Sequence, residues 1–170
     1  FDLLHWNSDA TRMPRRMHLF YLRQMYLHNN LVKPGVVELA GVPIDLTKVT
    51  VPVYLEACRE DHIAPFRSVF KARHNFSGPV RFLLAGSGHI AGVINPPDAN
   101  KYQYWRNDDE PWEVDAWLKG ATEYPGSRRP DWQPWLAQHT SDMVAARKPG
   151  DGKLSVIEDA PGSFVKVRSA

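Results

Sequence analysis

Cysteine occurs once in the 170 residues, at Cys58, which excludes an internal disulfide framework and a zinc site built on several thiolates. Charge of one sign is equally scarce, since 21 Lys and Arg against 19 Asp and Glu leave a formal net charge of +2. No Lys/Arg run has the density of a phosphate-binding stripe, so nucleic acid is not an expected partner. "RMPRR" (12–16) reads as the solvated start of a helix. Nothing approaches the ~18 consecutive apolar residues of a membrane span, and no basic segment leads into an apolar one as in a secretory leader. The chain reads as cytosolic. An initiator Met is also absent: the chain opens "FDLLHWN", already apolar, as the interior of a longer polypeptide would.

What is present is an ordinary globular composition, 43% apolar and 24% charged, in a chain long enough for one sizeable core. Apolar residues recur at helical spacings from Met13 to Val32, with Pro14 suited to a first turn and "KPG" closing the segment, which predicts an amphipathic helix. "VVELAGVPIDL" (36–46), interrupted by Gly41 and Pro43, predicts a short extended piece and a turn. "VPVYLEA" (51–57) and "VRFLLAG" (80–86) predict buried strands, and "FRSVFKARHNF" between them a helix. A strand, helix, strand unit yields a parallel pair.

A helix is expected to begin near His89, "YQYWRN" (102–107) to be a further extended segment, and "PWEVDAWLKGA" (111–121) and "DWQPWLAQHTSDMVAARK" (131–148) to be helices. Trp112, Trp117, Trp132 and Trp135 on these last two serve either as core anchors or as a docking surface. The tail from Asp159 reads as extended. Two strands alone would leave apolar edges unpaired, so the sheet is expected to be incomplete in this chain, with further strands upstream.

Sites in open parallel sheets form past the carboxyl ends of the strands. "EDH" (60–62) and "GSGH" (86–89) both lie there, which makes Asp61 and His89 neighbours if the two strands are. Their order matches the acid and base of α/β-hydrolases, where the nucleophile comes first, then the acid, then the histidine. A carboxylate on one imidazole nitrogen fixes the tautomer, and the other nitrogen takes the nucleophile's proton. The bland alternative is a solvated loop carboxylate and a capping or core histidine. No G-x-S-x-G box or cysteine variant occurs: Ser87 lies in "AGSGH" and Cys58 in "EACRE". Glu56 and Glu60 beside Cys58 disfavour a thiolate, so Cys58 reads as a packed bystander and the nucleophile is expected before Phe1. Glu60, Asp61, His62 and His89 lack metal-ligand spacing, so no metal is expected.

"LLHWNSDATRMP", "YLRQMYLHNNL", "VPVYLEACREDHIAPF", "GSGHIAGVINPP" and "APGSFVKVR", in this order, resemble the C-terminal part of the polyhydroxyalkanoate synthases, closest to the class I, short-chain pattern. The resemblance implies an α/β fold, the C-terminal portion of an α/β-hydrolase-like core. In it an upstream cysteine attacks the thioester of a 3-hydroxyacyl-coenzyme A, coenzyme A leaves, and the growing polyester is extended. Asp61 matches the family's catalytic acid, His89 its general base, and His62 a position near the site, with a loop histidine bonding the backbone as its plain alternative. Asn95, Pro96 and Pro97 match too and read as structural.

By the same resemblance residues 1–48 end the cap subdomain over the active site, and 49–170 form the C-terminal part of the core with its helices and tail. The helix from Met13 helps bury the entrance or a homodimer contact, and Trp6, Phe20, Tyr21, Met25 and Tyr26 line a polymer path or pack a core. The implied partners are 3-hydroxyacyl-coenzyme A, the polyester chain, the rest of the same enzyme and a polymer granule surface. No cofactor is implied, because the coenzyme A thioester is substrate. This chain alone is expected to be inactive. A serine esterase, lipase or depolymerase of the same fold, or a non-catalytic docking module, are the rival readings; an upstream cysteine favours acyl transfer and an upstream serine hydrolysis.

Overall fold

In the computed structural model, residues 7–8 and 12–167 are described. Trp6 and the last three tail residues lie outside them. The chain divides into two compact units, one of His28–Ser141 and one drawn from Phe1–Leu27 and Asp142–Ala170.

The larger unit opens with a two-stranded antiparallel hairpin, β1 (Glu38–Leu39) and β2 (Val42–Pro43), turned by Ala40 and Gly41, both at positive φ. Its core is a mixed four-stranded sheet in the order β3-β4-β5-β6. Strands β3 (Val53–Cys58) and β4 (Val80–Ala85) run parallel, Val53 opposite Val80 and Cys58 opposite Ala85. Their crossover holds α1 (Phe66–Phe70) and a 3-10 turn over Lys71–Asn75. The crossover closes where Ser77 and Gly78 donate their N–H groups to the Val49 carbonyl, at 3.1 and 3.0 Å. A Cβ on Gly78 would come within 2.5 Å of the Thr50 and Val51 carbonyl oxygens, so only glycine admits this approach. Strands β5 (Gln103–Arg106) and β6 (Thr122–Pro125) extend the sheet antiparallel, joined by α2 (Val114–Gly120). Helix α3 (Arg129–Ala137) follows.

Alternation along the strands sorts side chains onto two faces. Ala57, Phe82, Leu84 and Trp105 meet Phe70 of α1 and Trp117 of α2 in one apolar cluster. Phe82, Leu84 and Trp117 are fully buried, each contributing about 1.5–3 kcal/mol by leaving water. Cys58, Leu83, Ala85 and Tyr104 occupy the opposite face with Tyr54 and Tyr124. There Asp131 of α3 accepts hydrogen bonds from Tyr54 (2.9 Å), Arg81 and Arg106 (2.7 Å). Strands of β3, β4 and β5 are thus tied to one helix.

The segment expected as one helix from Met13 is, within the other unit, α-helical only over Arg15–Tyr21 and widens to a π-helical turn over Leu22–Leu27; Asn29, in the larger unit, takes a φ of 45°. Phe20 and Met25 are half-buried, while Tyr21 and Tyr26 are exposed and stack edge to face at 5.3 Å. Apart from turns, one of them 3-10 over Phe164–Lys166, the tail is irregular. Among the described residues no helix is long and apolar enough to cross a membrane.

The architecture is α/β, as expected, with two differences near the site. The helix expected at His89 is instead a series of turns: Ser87 takes a φ of 70°, and Gly92 folds back so closely that a Cβ there would lie 2.2 Å from the Gly86 carbonyl oxygen. Helix α3 stops at Ala137, well short of Lys148, and Met143 and Val144 beyond it are exposed, so no apolar face sustains a longer helix.

Candidate active site

Asp61 and His89 lie just past the carboxyl ends of β3 and β4, and the parallel register of those strands sets their loops side by side. Two backbone hydrogen bonds stitch the loops together: the N–H of Arg59 donates to the Ala85 carbonyl at 2.8 Å and that of Glu60 to the Ser87 carbonyl at 3.1 Å. Across this seam His89 Nδ1 stands 2.7 Å from Asp61 Oδ2. The other carboxylate oxygen, Oδ1, accepts the N–H groups of Ile63 (2.8 Å) and Ala64 (2.9 Å). Asp61 is thereby fixed by its own turn before His89 is added.

The two partners differ in access. The Asp61 side chain is 6% exposed and that of His89 47%. The Ala64 N–H, followed by the His89 ring, holds the Asp61 carboxyl below its ordinary range against the opposing effect of desolvation. With Nδ1–H donating to the ionised Asp61, Nε2 is the ring nitrogen left to accept a proton. This is the chemistry of an oriented general base. Among the described residues the His89 ring hydrogen-bonds to Asp61 alone.

Cys58 lies beneath the pair. It is 2% exposed, and burial, reinforced by Glu56 and Asp61, pushes its thiol up to about 11. Its sulfur instead receives the N–H of Val93 and lies against Gly92. A buried, protonated thiol is packing. His62 points to solvent and makes no hydrogen bond among the described residues. Nor do three His, Cys, Asp or Glu side chains converge as metal ligands among them.

Ile63 on the Asp61 loop and Ile90 and Ile94 on the His89 loop are exposed (66%, 59% and 60%), a feature the acid and base search passes over. Isoleucine beside an acid–base pair carries no sequence signal distinct from core isoleucine; only its exposure separates the two. Of the four tryptophans, Trp117 is a core residue, Trp132 and Trp135 are half-buried, and Trp112 is exposed against the His74 ring.

The chain is 51% identical over 169 residues to the poly(3-hydroxyalkanoate) polymerase subunit PhaC of Rhizobium etli, covering 99% of this chain and 26% of that protein. It is 45% identical over 170 residues to the subunit of the same name from Cupriavidus necator, covering 99% and 29%. A poly(3-hydroxyalkanoate) polymerase 1 of Ectopseudomonas oleovorans is 36% identical over 169 residues, covering 99% and 30%. The chain corresponds to the C-terminal part of these polymerases. It spans between a quarter and a third of their length. No protein-family profile matches the chain. The sequence motifs around Asp61 and His89 therefore lie within a similarity that covers nearly all of the chain.

Proposed function

We propose that this chain supplies the acid and base of a polyhydroxyalkanoate synthase, with Asp61 as orienter and His89 as general base. The observation that carries the reading is the 2.7 Å contact between His89 Nδ1 and an Asp61 carboxylate already fixed by two backbone N–H groups.

The nucleophile is a cysteine in a part of the enzyme outside this chain. His89 Nε2 takes its proton; the thiolate attacks the thioester carbonyl of a 3-hydroxyacyl-coenzyme A, the carbon–sulfur bond to coenzyme A breaks, and the imidazolium returns the proton to the leaving thiolate. In elongation the hydroxyl of one acyl unit gives its proton to the same base and attacks the thioester carbonyl of another; the ester C–O bond forms as that C–S bond breaks, and the imidazolium returns the proton to the departing thiolate. Asp61 stabilises the imidazolium in both half-reactions. The monomers are short, 3-hydroxybutyryl-coenzyme A among them, and the exposed isoleucines at the rim match such apolar units. No cofactor is needed beyond the substrate's own thioester. The same reading makes residues 1–48 the end of a cap on an α/β-hydrolase-like core of which 49–170 are the last part. It places the enzyme in the cytoplasm, at the surface of polymer granules.

The test is coenzyme A release and polymer formation from 3-hydroxybutyryl-coenzyme A by the complete protein carrying this chain. His89→Gln and Asp61→Asn are each expected to lower turnover by roughly 100-fold or more, with the folded state intact by circular dichroism. Peptide mapping is expected to find the acyl group on an upstream cysteine. Wild-type turnover in His89→Gln, or release of free hydroxyacid without polymer, would overturn the reading.

A further inference from the structure

His89 sits on a loop with no regular structure, so something other than helix or strand must hold it against Asp61. At its start, the Gly86 N–H donates to the Gln103 carbonyl at 2.7 Å. In its middle, Gly92 and Val93 rest on the buried Cys58 sulfur. At its end stands Asn95, one of four buried polar residues of the described chain, 5% exposed.

Asn95 is bound on both its side chain and its backbone. Its Nδ2 donates to the Lys101 carbonyl at 2.6 Å, closing the turn that carries the chain into β5. Its own carbonyl oxygen accepts the Ser127 hydroxyl, also at 2.6 Å. Ser127 is 6% exposed and its oxygen receives the Arg129 N–H at 3.2 Å, at the entry to α3. Four residues on, Asp131 ties that helix to Tyr54, Arg81 and Arg106. The first residues of α3 thus join two sets of hydrogen bonds, those of Asp131 to the sheet face and those of Ser127 to the end of the His89 loop.

Pro96 and Pro97 follow Asn95 and offer no N–H groups, so the backbone there secures itself only forwards, through their carbonyls, which accept the Ala99 and Asn100 N–H groups at 3.1 and 3.2 Å, and not back towards the loop. The Asn95 side chain and the Ser127 hydroxyl take over that task. We infer that Asn95, latched by Ser127, is a positioning residue for the base: it fixes the return of the loop and thereby where His89 Nε2 stands relative to the nucleophile. Asp61 needs no such help, being held by its own turn. The inference rests on the role proposed above for His89 and goes beyond it in naming what sets that residue's position.

The experiment uses the complete protein, with Asn95→Ala and the milder Ser127→Ala, and counts active sites by the burst of coenzyme A release. The rate per active site is expected to fall roughly 10- to 100-fold in Asn95→Ala and less in Ser127→Ala, with KM unchanged, because a small misplacement of a catalytic group costs rate more than binding. The acid limb of the acylation profile is expected to move to higher pH, since a base set further from the thiol helps its ionisation less. Ser127→Thr, which keeps the hydroxyl, is expected to restore both. A merely structural role would lower the number of active sites and leave their rate and pH profile at wild-type values, and that result overturns the inference. His89→Gln in the same assay separates the two claims: if it stays active, the role of His89 fails; if it is inactive while Asn95→Ala is normal per site, only the latch fails.

Discussion

On the face of the sheet covered by α1 and α2, Phe82 packs edge to face against both Phe70 and Trp117, with ring centroids 4.9 Å apart in each case. On the face covered by α3, the same strands present Tyr54, Arg81 and Arg106 to a single carboxylate, Asp131, and Glu56 to Arg128 at 2.9 Å. The first face is held by apolar area and dispersion, which are tolerant of small shifts. The second is held by directional, charged bonds whose donors come from three strands, and each must be in place for the others to be satisfied. The polar face also leads to the His89 loop, through Ser127 and Asn95. The apolar face is expected to contribute more to stability, and the polar face to set the position of the His89 loop.

The largest expected effect tests the apolar face. Trp117 is fully buried among Phe70, Phe82 and Leu84, so Trp117→Ala is expected to lose ~3–5 kcal/mol from the removed contacts and the cavity. Equilibrium urea unfolding measures this; a loss below ~1 kcal/mol would mean that the cluster does not hold the unit together. The surviving folded fraction is expected to keep its rate per active site.

Asp131→Asn probes the polar face with a smaller stability loss and a different signature. It leaves Arg81 and Arg106 facing a neutral amide, and their side chains, 28% and 25% exposed, regain part of their hydration. A destabilisation of ~2–3 kcal/mol is expected, below the full cost of orphaning a deeply buried charge. Unlike Trp117→Ala, it is expected to lower the rate per active site, because α3 and Ser127 lose their anchor. Equal rates per site in the two variants would erase the distinction between the faces.

The same contrast explains what was legible in the sequence. The strands β3 and β4 announce themselves through short runs such as "VYLEAC" and "VRFLLA", and their parallel pairing follows from the helix between them. That places Asp61 and His89 at adjacent strand ends. Strand β6 was not legible: "TEYP" is mostly exposed and carries no apolar alternation, being defined only by its pairing to β5. The turns around His89 were missed for a related reason. Apolar spacing in "GHIAGVI" mimics a helix, whereas the loop is shaped by Gly92 against the Gly86 carbonyl and Cys58, contacts between segments far apart in sequence. Asn95 shows the limit in another way. A buried asparagine before two prolines reads as a turn former, and its link to Ser127, 32 residues on, exists only in three dimensions.

Cys58→Ala gives the smallest expected effect and the sharpest check on where the two faces meet. The thiol belongs to the last residue of β3, on the face shared with Leu83 and Ala85, yet its sulfur touches the His89 loop through Val93 and Gly92. Removing it deletes one weak hydrogen bond and opens a space of about one sulfur atom, for a loss of ~1 kcal/mol. Because Asn95 and Ser127 still hold the loop's end, the rate per active site is expected to stay at the wild-type value. Unchanged turnover with a slightly lower urea midpoint fits a packing thiol and an independent latch. Abolished turnover in a folded protein would make Cys58 itself part of the chemistry, contrary to a thiol whose burial keeps it protonated.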